Sequence, residues 1–274
     1  KNNNISAIKG PAIIANGSNP IKYIEIFFNI EYYISLYITI YEKMTKLYCD
    51  TSNLKDIKNC LKEYKIDGVT TNPSIMRKEG VKKYKKHCNK ILKITKNKPL
   101  SVEVFADNSN EIIDQAIRIS NWSKFIYVKV PVINTKGKFL KEVIKELNHK
   151  KIKLNITAVF TLKQMSKIKN EINKKTPVII SIFCGRIADN GIDPEPIVLK
   201  AKKMFKEFPN VKILWASVRE VYNFYQAKRA KSDIITIPPN LIKKIRANKI
   251  SLEEYSKITV KQFFDDGKKS KFKI

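Results

Sequence analysis

The sequence predicts an α/β protein: a closed (β/α)8 TIM barrel with an additional C-terminal helix and a non-barrel N-terminal extension. Three observations lead there. From Met44 onward, short β-branched runs alternate with longer amphipathic runs, and eight strands each followed by a helix call for a parallel sheet covered by helices. Residues 44–274 also come close to the ~250 residues usual for such a barrel. Finally, the chain has only eight glycines and no G-x-G-x-x-G or P-loop. An open doubly wound sheet is the rival, and it would want a Gly-rich turn after its first strand.

The strands are expected at 46–49, 68–71, 100–105, 125–132, 154–160, 178–183, 213–216 and 234–237. Helical periodicity falls between them, for example at 54–64, 111–120, 139–147, 162–172 and 196–205. Thr161 stands where a helix cap is wanted, and Asp193-Pro194 opens another helix. The last segment, 260–274, reads as one more amphipathic helix. Residues 1–43 differ in character, with four basic (Lys1, Lys9, Lys22, Lys43) and three acidic residues (Glu25, Glu31, Glu42). Their clean apolar run, 32–41, is about half of the ~20 residues that span a bilayer, and no small-residue cleavage site follows it. The expected organisation is therefore an N-terminal extension over 1–43, either poorly ordered or not part of the native enzyme, and a barrel catalytic domain over 44–274 that starts near Met44.

Fifty-four basic against 25 acidic residues give a net charge of +29. The lysines are scattered through nearly every segment, with no zinc finger, aromatic RNA-binding motif or separate basic arm, so no specific nucleic-acid partner is expected. Abundant Lys, Asn and Ile are what AT-rich codons produce, and solvated helix faces account for the charge. Cysteines 49, 60, 88 and 184 form no C-x-x-C pair, and there are only two histidines, His87 and His149. That supply excludes a disulfide scaffold, leaves a zinc site or histidine triad poorly provided, and fits a reducing cytosol.

Polar residues embedded in apolar strands carry the chemical information, because barrel side chains alternate and reactive groups gather at strand C-terminal ends. Lys129 stands out within Phe125-Ile126-Tyr127-Val128-Lys129-Val130-Pro131, a strand that must be buried on both faces. Desolvation disfavours the charged form of a lysine and favours a neutral amine, the nucleophile of Schiff-base chemistry. A buried salt bridge is the competing explanation for such a lysine. Glu103 lies between Val102 and Val104; Asn155 and Thr157 share a face, as do Ser181 and Phe183, with Arg186 close behind. Trp215 and Ser217 are likewise expected on one face, with Arg219 beyond, and Asp50 and Asn72 end the first two strands. An Asp or Asn there is most often a cap or turn residue taken singly. Together these positions would line one barrel mouth.

From Met44 onward the chain resembles the transaldolases, Schiff-base (β/α)8 enzymes close to the fructose-6-phosphate aldolase group. The resemblance is carried by Leu47-Tyr48-Cys49-Asp50-Thr51, Gly68-Val69-Thr70-Thr71-Asn72-Pro73-Ser74, Val102-Glu103-Val104 and Val128-Lys129-Val130-Pro131. It continues through Leu154-Asn155-Ile156-Thr157-Ala158-Val159-Phe160, Ser181-Ile182-Phe183-Cys184-Gly185-Arg186-Ile187, Ala216-Ser217-Val218-Arg219 and Thr236-Ile237-Pro238-Pro239. Cys184 departs from the pattern, which has a small aliphatic residue there.

The resemblance implies that Lys129 attacks a ketose-phosphate carbonyl, that Asp50 takes the C4-hydroxyl proton, and that Glu103 with Thr157 and a water shuttles protons. It places Asn72, Asn155 and Ser181 on the three-carbon fragment, Phe183 beside the imine, and Arg186, Ser217 and Arg219 on the phosphate. No metal or cofactor is called for, since the protonated imine is the electron sink. Sugar phosphates are the expected partners, a homo-oligomer the expected assembly and the cytoplasm the expected location, with no membrane association. Members of the fructose-6-phosphate aldolase group typically carry Gln and Tyr where this chain has Glu103 and Phe183, which favours transfer of a dihydroxyacetone unit over its release. A catalytically silent barrel that binds polyanions is the alternative from another class.

Overall fold

The computed structural model describes residues 45–96, 98–247 and 250–271. The expected extension over 1–43 lies outside the described residues. Eight parallel strands close in strict sequence order: β1 (Lys46–Asp50), β2 (Gly68–Thr70), β3 (Leu100–Glu103), β4 (Ile126–Pro131), β5 (Leu154–Val159), β6 (Val178–Ile182), β7 (Val211–Trp215) and β8 (Ile234–Ile237). Leu47 pairs with Ile235 and Cys49 with Ile237 to close the ring. The predicted fold is the observed one, with strand ends shifted by a few residues.

Strand alternation sorts the side chains into two cores. Cys49, Val69, Val102, Val128, Ile156, Ile180, Ile213 and Ile235 point outward and pack beneath the helices in one continuous cluster. Inside the barrel, Tyr48, Ile179, Leu214, Ala216 and Ile234 form a smaller apolar plug. Gly68 belongs to this plug's wall, because a Cβ there would meet the Tyr48 ring at 2.6 Å. Each buried Ile or Leu contributes roughly 1.5–3 kcal/mol of burial free energy, so the outer layer carries the stability. The inner layer is free to hold polar groups above its plug.

The helices are, in order, α1 (Leu54–Tyr64), α2 (Pro73–Lys78), α3 (Tyr84–Ile94), α4 (Ser109–Ser120), α5 (Lys141–His149), α6 (Leu162–Glu171), α7 (Cys184–Ala188), α8 (Glu195–Met204), α9 (Tyr222–Arg229), α10 (Pro239–Arg246) and α11 (Leu252–Ser270). Their starts follow capping chemistry: Asn53 accepts from the Lys55 and Asp56 amides, and Thr161 with Gln164 completes a capping box. Asp193 accepts from the Glu195 amide at the start of α8. Glycine being scarce, Lys65 and Lys271 occupy left-handed C-cap positions that glycine usually fills. Lysines such as Lys85 and Lys86 on α3 are exposed, as solvated helix faces require, and so are Lys82 and Lys83 just before it.

The C-terminal helix begins earlier than its periodicity indicates. Ser251 accepts from the Glu254 amide and starts α11 at Leu252, eight residues ahead of the expected 260, while 272–274 lie outside the described residues. No described helix is long and apolar enough to cross a membrane.

Candidate active site

Inward-facing polar residues above the plug open into a cavity of about 450 Å³ at the C-terminal ends of the strands. It is lined by ten of the eleven residues singled out from sequence: Asp50, Asn72, Lys129, Asn155, Thr157, Ser181, Phe183, Arg186, Ser217 and Arg219. The eleventh, Glu103, does not line the cavity itself but contacts Lys129, which does.

Lys129 is 6% exposed. Its Nζ lies 3.1 Å from Glu103 Oε2 and donates to the Thr71 carbonyl oxygen at 3.1 Å. The pairing follows from register, since Glu103 on β3 lies opposite Lys129 on β4. Lys129 is thus both buried and ion-paired. The salt bridge offered as the competing explanation is present, but its carboxylate belongs to a residue of the same predicted constellation. Asn155 lies opposite Lys129 on the other side. Ser181 Oγ donates to Asn155 Oδ1 at 2.7 Å and Asn155 Nδ2 donates to Ser101 Oγ at 2.9 Å, a chain that fixes the amide's orientation. The Thr157 hydroxyl is buried with no partner among the described residues, so it is available to a bound molecule. Immediately after it Ala158 adopts φ +56° and the pairing of β5 with β6 shifts register. A non-glycine residue in that region is strained, and such strain gathers where structure fixes a site.

Asp50 ends β1 and accepts from Thr70 Oγ1 at 2.7 Å; Thr70 in turn contacts Thr236 Oγ1. Burial pushes the Asp50 carboxyl above the ordinary carboxylate range, while the Lys129 charge and the Thr70 hydroxyl oppose the rise. A carboxyl so placed exchanges protons closer to neutrality than a surface aspartate does. Asn72 serves two ends: its Oδ1 caps α2 by accepting from the Ile75 amide, and the residue also lines the cavity.

The rim opposite carries the cations. Arg186 lies over the Phe183 ring at 5.6 Å, and Arg219 Nη2 donates to Asp189 Oδ2 at 2.8 Å. Ser217 joins them through an unusual backbone, φ +62°. Strand alternation placed Trp215 and Ser217 on one face, and the structure corrects this. β7 ends at Trp215, which is fully buried in the outer core, and the positive φ turns Ser217 into the cavity instead. Gly185, in α7, makes the close approach of this helix to the Ser217 backbone feasible: a Cβ there would lie 1.7 Å from the Ser217 carbonyl oxygen.

Sequence reasoning missed Thr70, Thr236, Ser101 and Asp189. The three strand residues sit on the inward face, where alternation alone could have found them, whereas Asp189 follows a short helix and carries no periodic signal. Among the described residues no three of His, Cys, Asp and Glu come together as metal ligands.

Residues 47–274 match the family model for transaldolase/fructose-6-phosphate aldolase. A probable transaldolase of Nitrosopumilus maritimus is 32% identical over 217 residues, covering 77% of this chain and 93% of that one. A probable transaldolase of Thermoplasma volcanium is 33% identical over 201 residues, 72% of this chain and 86% of its own. A third, from Caldicellulosiruptor saccharolyticus, is 28% identical over 226 residues, covering 82% and 97%. With a lysine–glutamate pair, a buried aspartate and an arginine rim in one barrel mouth, and with the match extending over nearly the whole barrel, this chain belongs to the transaldolase/fructose-6-phosphate aldolase family.

Proposed function

We propose that the protein is a transaldolase that moves a dihydroxyacetone unit from sedoheptulose 7-phosphate to glyceraldehyde 3-phosphate through a Schiff base on Lys129. The observation that carries this reading is the buried Lys129–Glu103 contact, with Asp50 in the same cavity and two arginines at its rim.

In this reading Lys129 passes a proton to Glu103, and the neutral amine attacks the C2 carbonyl. Glu103 returns a proton, by way of a water held at the Thr157 hydroxyl, so that the C2 oxygen leaves as water and a protonated imine remains. Asp50 takes the C4-hydroxyl proton, the C3–C4 bond breaks, and its electron pair flows into the imine to give an enamine and free erythrose 4-phosphate. The enamine then attacks the aldehyde of glyceraldehyde 3-phosphate, Asp50 returns its proton, and hydrolysis frees fructose 6-phosphate and the Lys129 amine. Asn155, held by Ser181 and Ser101, supplies a fixed amide to the three-carbon fragment. Arg186 and Arg219 bind the phosphate by charge-assisted hydrogen bonds, with Arg219 exchanging Asp189 for the incoming anion. The pentose phosphate pathway is the implied setting and the cytoplasm the implied location.

Transfer, rather than simple aldol cleavage, is favoured by Glu103 and Phe183. A phenylalanine ring beside the imine carries no hydroxyl to orient a hydrolytic water, so the enamine persists until an acceptor arrives. The test is an assay with sedoheptulose 7-phosphate, with and without glyceraldehyde 3-phosphate. Fructose 6-phosphate formed only with acceptor supports transfer; free dihydroxyacetone formed at an equal rate without acceptor identifies a simple aldolase. No product in either arm returns the protein to the class of silent barrels.

A further inference from the structure

We infer that Cys49 and Cys60 form an oxidisable dithiol whose closure into a disulfide displaces Asp50 and slows the enzyme. The inference deepens the proposed function, since its kinetic consequence rests on Asp50 serving the carbon–carbon step. Neither cysteine has a part in the chemistry described above.

Cys49 lies on the outward face of β1, one residue before Asp50, and Cys60 lies on the inward face of α1. Their sulfurs are 3.5 Å apart, Cys49 donating to Cys60, and both thiols are free and buried. A disulfide needs ~2.05 Å between sulfurs, so closing the pair requires roughly 1.5 Å of approach, shared between the strand and the helix. The contact draws the Cys60 thiol below the ordinary thiol value and pushes that of Cys49 up, so Cys60 is the one disposed to attack. Peroxide is the oxidant class that fits. The Cys60 thiolate attacks one peroxide oxygen, the O–O bond breaks, and Cys60 becomes a sulfenic acid as hydroxide leaves and takes up a proton. The Cys49 sulfur then displaces the sulfenic oxygen as a second water. Two electrons pass from the two thiols to one peroxide. Cys60 is 2% exposed and Cys49 0%, so the attack requires local opening of α1, an 11-residue helix on the barrel surface.

Coupling to the site is short and mechanical. Only Thr51, Ser52 and Asn53 separate Asp50 from α1. The loop is laced to its neighbours: the Thr51 amide donates to the Thr70 carbonyl, Asn53 Nδ2 donates to Glu79, and the Ser52 carbonyl contacts His87 Nε2. Thr51 and Asp56 line the cavity beside Asp50. A pull on β1 therefore shifts the carboxyl held by Thr70, and a displacement of about 1 Å in a reacting group costs on the order of 100-fold in rate. Lys129 stands on β4, away from the pull, so imine formation survives.

The test treats the reduced full chain with hydrogen peroxide, alkylates free thiols and maps them by mass spectrometry, with Cys88 and Cys184 as internal controls. A Cys49–Cys60 cross-linked peptide is expected, with turnover falling about 100-fold and recovering in dithiothreitol. Borohydride trapping at Lys129 should persist in the oxidised protein. Cys60→Ala and Cys49→Val should each keep their turnover under the same treatment; two variants guard against one failing to fold. Separately alkylated Cys49 and Cys60 after oxidation, a mapped disulfide with unchanged turnover, or equal inactivation of both variants overturns the inference. The mapping needs no substrate, so a missing cross-link counts against the dithiol alone, whereas a reduced enzyme without aldol chemistry counts against the function.

Discussion

Lys129 Nζ and Glu103 Oε2 stand 3.1 Å apart at opposed register positions of adjacent parallel strands, so the ion pair is set by the backbone ladder rather than by flexible side chains. Breaking such a pair leaves a buried charge alone, whereas replacing both members with apolar groups of similar size is close to neutral. Glu103→Ala should therefore lower stability by about 3 kcal/mol. The double replacement Lys129→Met with Glu103→Leu should restore most of that loss in an inactive protein. Urea unfolding midpoints of the parent and the two variants check this; a double variant no more stable than Glu103→Ala contradicts it.

Asp50 ties function to stability in opposite directions. Its carboxyl is held above the ordinary value by burial, so the folded state binds this proton more tightly than the unfolded chain. Stability from this group is fully present at low pH and is lost as pH rises through the raised value. Asp50→Asn should accordingly raise the melting temperature at neutral pH, with the gain vanishing toward the ordinary aspartate range. It should also cut kcat by ~10²–10⁴ while the imine still forms. The parent's kcat should show an acid limb above the usual carboxylate range. Thermal melts and a pH–rate profile of parent and variant test both halves.

Gly185 is fixed by a neighbour, not by its own conformation. The Ser217 carbonyl oxygen occupies the place of its missing Cβ, so Gly185→Ala must push the Ser217 backbone away. Overpacking of this kind costs ~1–3 kcal/mol. Because the displaced segment carries Ser217 and Arg219, the expected signature is a raised KM for phosphorylated substrates together with a lower melting temperature. A stable variant with unchanged KM would remove Ser217 from the phosphate rim.

Arg219 is exposed and already paired with Asp189. Arg219→Ala should raise KM for sugar phosphates about tenfold, the loss of one charge-assisted contact of ~1.5 kcal/mol. Unphosphorylated fructose should be turned over as by the parent. Competition by inorganic phosphate should weaken in parallel, which an inhibition constant measures directly.

How much of this was legible beforehand depends on the kind of signal each residue leaves. Lys129 is conspicuous because a cation in a strand buried on both faces has no solvent-exposed alternative, and Glu103, Asn155 and Thr157 follow from the same alternation. Thr70, which holds Asp50, and Thr236, which contacts Thr70, share the inward alternation but, as ordinary strand formers, do not stand out by residue type. The alternation argument failed at Ser217, where one residue at positive φ turns the side chain away from the face it shares with Trp215 on paper. Cys49 and Cys60 sit on different elements with different periods, so only packing brings their sulfurs together. The C-terminal helix was legible as a helix but not in its start, because the capping pair Ser251 and Glu254 weighs less in a periodicity reading than the apolar run downstream.

The most direct measurement of the central claim is borohydride reduction of the enzyme in the presence of fructose 6-phosphate, followed by peptide mapping. The account predicts a secondary amine on Lys129 alone, carrying a three- or six-carbon fragment, in parallel with loss of activity. Labelling of a different lysine, or full activity loss of a Lys129→Ala variant accompanied by an unchanged labelling pattern, would contradict it.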